Sequence, residues 1–104
     1  MQIPTEFQVF GQHWKVIYDP KLRHDTDNVG EASYRDNVIV LQSAAEGNPR
    51  IPCLIEQSFL HELVHVILDC MSEHKLRADE KFVDVFANLL HQALDSARYE
   101  YGEE

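Results

Sequence analysis

From Leu54 to Cys70 nearly every position is apolar, the exceptions being Glu56, Gln57, Ser58, His61, Glu62, His65 and Asp69. A helix that is apolar around most of its circumference is a central, buried one. Pro52, with no N–H to lose in a first helical turn, is well placed to start it. The rest of the chain therefore has to be read as the layers that cover this segment.

Upstream the pattern is that of short strands. Phe7–Phe10 and His13–Tyr18 are β-prone runs separated by Gly11-Gln12, a spacing that suits a tight hairpin in which Gly supplies a positive φ. Asp19-Pro20 ends the second run, and the polar, turn-rich stretch from Lys21 to Gly30 reads as a loop. Ala32–Arg35 and Asn37–Leu41 form a further strand pair turning at Asp36-Asn37, and Ser43–Arg50 is a linker. Downstream, Ser72–Arg77 is the expected break, and a second helix runs from about Ala78 to about Tyr99 with Phe82, Phe86, Leu89, Leu90, Ala93 and Ala97 at helical spacing. Four strands followed by two helices predict an α+β domain, a small antiparallel or mixed sheet with the helices packed on one face. With 104 residues there is material for one domain spanning 1–104.

Charge and composition remove several function classes. Eighteen acidic residues against nine Lys and Arg give a net charge of -9, which repels phosphates and argues against both nucleic acid and an anionic membrane surface as partners. The longest apolar stretch, Leu63 to Leu68 interrupted by His65, is far short of a membrane span. The first residues lack the basic and apolar regions of a secretory signal, and Cys53 and Cys70 form no CxxC pair. A cytoplasmic location is the expectation.

Within the buried helix, His61-Glu62-Leu63-Val64-His65 is an HExxH motif. Two His four apart on a helix lie about 6 Å apart along the axis on one face, so their imidazoles can converge on one tetrahedral ion. Glu62, next to the first His, is placed to reach a water on that ion, the general-base position of a zinc hydrolase. A chance HExxH would sit on a solvated face, but its neighbours here are Phe59, Leu60, Leu63, Val64, Val66 and Ile67. Ionisable groups in such surroundings are costly unless something pairs with them. A third ligand is needed, and His74, Asp79, Glu80, Asp84 and His91 lie downstream. Glu80 and Asp84 form an ExxxD pair on one side of the second helix. One could bind the ion while the other accepts the free N–H of a ligating His.

HELVH on one helix, followed by Glu80-Lys81-Phe82-Val83-Asp84-Val85-Phe86-Ala87 on the next, resembles the gluzincin zinc metallopeptidases, and in particular the ImmA/IrrE-like and small phage-associated members. The resemblance implies that His61, His65 and Glu80 are zinc ligands, Glu62 is the catalytic base, and Asp84 holds a ligand's other ring nitrogen. It implies peptide-bond hydrolysis with Zn2+ as cofactor on a protein or peptide substrate. Such a substrate is expected to lie as an extended strand on an exposed sheet edge, taken here as Asn37 to Gln42. The short stretch between His65 and Glu80 departs from thermolysin-like enzymes, as does the absence of a separate C-terminal subdomain. A transition-state stabiliser is left to be chosen among His91, Tyr34, Tyr99 and Tyr101. The competing expectation is a non-catalytic protein-interaction module whose zinc is closed off by a fourth ligand, with His74 or Cys70 as the candidates. His13 and His24 read as surface residues, Cys53 and Cys70 as buried small residues, and Trp14 as core.

Overall fold

A computed structural model describes residues 1–44 and 51–100, so most of the expected linker and Tyr101 lie outside the described residues. In chain order the elements are β1 (Glu6–Val9), β2 (Gln12–Asp19), α1 (Leu22–Thr26), β3 (Gly30–Ser33), β4 (Val38–Gln42), α2 (Pro52–Cys70), α3 (His74–Ala78) and α4 (Glu80–Ser96). The strands form one mixed sheet in the order β1-β2-β4-β3, antiparallel at both ends and parallel between β2 and β4. The α+β architecture expected from the sequence is thus present.

Pairing is fixed by which side chains must be buried. Phe7 lies opposite Trp14, and their rings stack with centroids 6.2 Å apart. That register places the turn on Phe10-Gly11, one residue earlier than expected, with φ of 51° and 74°. Positive φ at both central residues is the hairpin geometry whose twist matches the strands. Gly11 takes it at no cost, whereas Phe10 leaves the strand and is 75% exposed. The second hairpin also closes early: Ser33 pairs with Val38, so Tyr34 and Arg35 belong to the turn.

Trp14, Val16, Ile39 and Leu41 alternate onto one face of the sheet, where they meet Phe59, Leu60, Val64 and Val66 of α2. Val83 and Ala87 of α4 complete this core from the far side of α2. Among the described residues the opposite face is covered at one end by α1, in a segment expected to be loop. Gln42 is wholly buried there and explains why the turn forms. Its amide donates to the carbonyls of Pro20 and Ser43, both at 2.7 Å, and its Oε1 accepts from the Arg23 N–H at 2.6 Å.

The break after α2 is sharper than expected and is followed by structure. Ser72 adopts φ 60°, Glu73 N–H donates to Leu68 O, and Ser72 N–H donates to Asp69 O. This left-handed terminus satisfies the last carbonyls with Ser in the position Gly usually fills. His74–Ala78 then makes a short helix inside the expected break. At the other end α4 stops at Ser96, three residues before Tyr99. The Ser96 hydroxyl donates to Gln92 O at 2.7 Å and reaches Ala93 O at 3.4 Å, the carbonyl that the Ala97 N–H would need to prolong the helix.

One expectation about the sheet is overturned. Asn37 to Gln42 is no edge: β4 is hydrogen-bonded on both sides, to β2 and to β3. The edges are β1 and β3, and β3 is the one beside α2.

Candidate metal centre

His61 and His65 stand one turn apart on α2, their ring centroids 5.0 Å apart. Both are mostly shielded, with side chains 23% and 14% exposed. Glu80 is delivered by the start of α4. Asp79 caps that helix, its Oδ1 accepting from the Phe82 N–H at 3.1 Å, so Glu80 occupies the first helical position. Its Oε2 lies 3.1 Å from His61 Nε2 and its Oε1 3.2 Å from His65 Nε2. One ligand atom from each of the three residues lies within 4.8 Å of the others.

The donor set and spacing fit a small divalent cation. Two imidazole nitrogens and a carboxylate are the ligands of many hydrolytic zinc sites, and tetrahedral bonds of about 2 Å put ligand atoms roughly 3.3 Å apart. Burial lowers the His65 pKa, opposed by the Glu80 charge, and His65 hydrogen-bonds the backbone of Arg77. A neutral, oriented imidazole is the form that ligates. Asp84 faces the other nitrogen of His61 with Oδ1 3.7 Å from Nδ1, on the expected side but beyond hydrogen-bond length.

Glu62 turns the other way, toward β3. A Cβ at Gly30 would lie 3.2 Å from Glu62 Cγ, so the strand backbone passes in contact with this side chain. Its carboxylate makes no hydrogen bond among the described residues. Burial pushes its pKa from 4.5 up to about 7; the charges of Glu80 and Glu31 push the same way, and His61 opposes them. A carboxylate held near neutrality suits a general base.

All four residues open onto a cleft of about 1010 Å³ between β3 and the two long helices. Asp84 and Asn88 continue its α4 wall, Leu54, Gln57 and Ser58 its α2 wall, and residues 27–33 the opposite side. Sequence reasoning missed several of these. Asn88 follows Glu80 and Asp84 at helical spacing and could have been found that way; Arg23, Asp27 and Glu31 carry no such periodic signal.

None of the described candidates for a transition-state stabiliser lines the cleft. His91 is buried at the far end of α4, its Nε2 2.8 Å from Glu56 Oε1. Glu56, His91 and Asp95 form a second group with metal-ligand spacing, but the amino group of Met1 stands there, 3.3 Å from Glu56 and 2.5 Å from Asp95. Tyr99 is 66% exposed beyond the end of α4. Tyr34 is nearest: its ring edge meets Trp14 at 5.9 Å and the Arg77 guanidinium lies 5.5 Å from its centroid. Arg77 also pairs with Asp69 at 3.1 Å, so Tyr34 belongs to a brace under the α2–α3 corner. Neither His74 nor Cys70 joins the His61–His65–Glu80 group. Cys53 and Cys70 are free and only partly buried, Trp14 is core, and His13 and His24 are on the surface.

Among the described residues no helix is long and apolar enough to cross a membrane. No protein-family model matches the chain, and no curated protein or solved structure matches it.

Proposed function

We propose that this protein is a minimal zinc-dependent peptidase. The observation that carries the reading is the convergence of His61, His65 and Glu80 beside a half-buried Glu62 that has no hydrogen-bond partner among the described residues, in a cleft walled on one side by the edge strand β3. The likeness to gluzincins in the two helical motifs adds to it. Zinc, when bound, supplies a Lewis acid for a peptide carbonyl and lowers the pKa of water to about 7. His61, His65 and Glu80 would hold the ion, and Asp84 would fix the His61 ring through its other nitrogen. Glu62 accepts a proton on its carboxylate from the attacking water and returns it to the leaving amine. The substrate lies extended along β3, its main chain pairing with the N–H and C=O groups that β3 turns away from β4 and that no strand among the described residues takes up. The contact between Gly30 and Glu62 sets such a strand next to the base.

A non-catalytic zinc module would close the fourth position with protein. Among the described residues nothing does so, since His74 and Cys70 stand outside the group. The test combines metal analysis with hydrolysis of an unstructured protein such as casein. Wild type reconstituted with zinc should hold about one ion per chain and cleave casein. Glu62→Gln should hold the ion and cleave nothing. Absence of stoichiometric zinc from wild type would refute the reading, and zinc without cleavage would turn it into the module.

A further inference from the structure

The same cleft carries information about which peptides it takes, and this inference rests on the peptidase reading in taking its occupant to be an extended chain. Among the described residues its lining includes five carboxylates, from Asp27, Glu31, Glu62, Glu80 and Asp84, and one Lys or Arg, Arg23. Three of the five belong to the metal centre. The other two flank the free edge of β3 and form no ion pair among the described residues. Asp27 closes α1 with a left-handed backbone, φ 63°. Glu31 is held by the Asn28 amide, which donates to its Oε1 at 3.1 Å.

The alternation of β3 decides where their charge falls. Gly30 faces Glu62, and Ala32 pairs with Ile39 on the helix side of the sheet. Glu31 therefore projects to the opposite side, between two small helix-facing residues. A segment paired beside β3 would repeat this alternation, its side chains pointing in turn toward α2 and toward the Glu31 side. Residues of the second kind meet Glu31 and Asp27, and those of the first kind pass Asp84 on the α4 wall. An acidic segment would bring like charges against carboxylates that have no counter-ion among the described residues, in a chain whose net charge is -9. We infer that the cleft selects peptide segments bearing Lys or Arg around the scissile bond, with Asp27 and Glu31 as the specificity-determining residues.

The probe is a set of three fluorescent peptides of one length, differing only in Lys, Gln or Glu at the positions flanking a common centre. Binding is measured by anisotropy on zinc-loaded Glu62→Gln, which removes turnover from the readout. At low salt the Lys peptide should bind about tenfold more tightly than the Glu peptide, and the gap should close toward about twofold in roughly 0.5 M salt. Adding Asp27→Asn and Glu31→Gln should collapse most of the gap, with zinc content and the circular dichroism spectrum matching the parent to report an intact fold. Equal affinities, a preference for Glu, or a gap that survives the double substitution would overturn the inference. The peptidase reading is judged separately, by whether zinc-loaded wild type cleaves any of the three peptides. Cleavage without ranking would remove the inference alone, and ranked binding without cleavage would remove the peptidase alone.

Discussion

Glu62 in the metal-free protein carries a stability cost that can be measured without any substrate. Its pKa rises on folding from 4.5 to about 7, chiefly through burial. At about 1.4 kcal/mol for each tenfold change in proton affinity, that is about 3 kcal/mol between the limiting pH values. The sign follows from the direction. The folded state binds the proton more tightly than the unfolded chain, so this contribution is fully present below 4.5 and is lost as pH rises through about 7. Between about pH 5 and pH 8 the loss should amount to about 2–3 kcal/mol.

Gln at position 62 resembles the protonated carboxyl in shape and carries no charge. In urea unfolding with a chelator present, Glu62→Gln should gain about 2–3 kcal/mol on wild type as pH is raised from about 5 to 8. Groups that do not feel the charge at position 62 titrate alike in both proteins and cancel in the difference. The lowered pKa of His65 adds stability as pH rises, opposite in sign to Glu62. Parallel pH profiles for the two proteins would refute the argument, because a carboxylate already solvated through the cleft has no such cost to relieve.

Three further outcomes follow from the geometry. Glu80→Ala should be essentially metal-free at neutral pH, whereas Asp84→Ala should still bind zinc with affinity reduced about 10–100-fold; competitive chelator titration separates them, and the reverse order would exchange their roles. Gly30→Ala places a Cβ 3.2 Å from Glu62 Cγ, so zinc content should be unchanged while kcat falls roughly tenfold, and unchanged kcat would show that the base tolerates displacement. Asp79→Ala removes the cap that starts α4; thermal or urea unfolding should show a loss of about 1 kcal/mol, and chelator titration a several-fold weaker zinc affinity because Glu80 sits in the frayed turn.

The two long helices, the strand count and the four residues of the motif core were legible in sequence because each has a periodic or spaced signature. HExxH reports a one-turn separation, and ExxxD reports another. The identity of the edge strand was not legible. Asn37 to Gln42 has the composition of a good strand, but whether it is paired on one side or two depends on the parallel contact with β2, to which no local pattern testifies. The short helix α1 escaped notice for a related reason: it is held by Gln42, a polar residue whose three hydrogen bonds reach across 20 residues or so of chain or to its neighbour. His91 shares a helix face with Glu80, yet it lies about 16 Å further along α4. A helical wheel discards that distance.

The cleft follows from what the sequence leaves small. On α2 the core residues Phe59, Leu60 and Val64 occupy one side, while Leu54, Ser58, His61 and His65 run as a separate stripe at three- and four-residue steps. A stripe of that kind on a helix between a sheet and a second helix is normally filled by side chains from both neighbours. Here the neighbouring strand presents Gly30 and Ala32 to the helix. The second helix presents Glu80, Asp84 and Asn88, polar residues that remain largely exposed. Neither wall has the volume to close the seam, so Glu62 is shielded by backbone at Gly30 on one side and left open to the cleft on the other. The raised pKa of the base and its access to a substrate thus have one origin, a strand edge with almost no side chain.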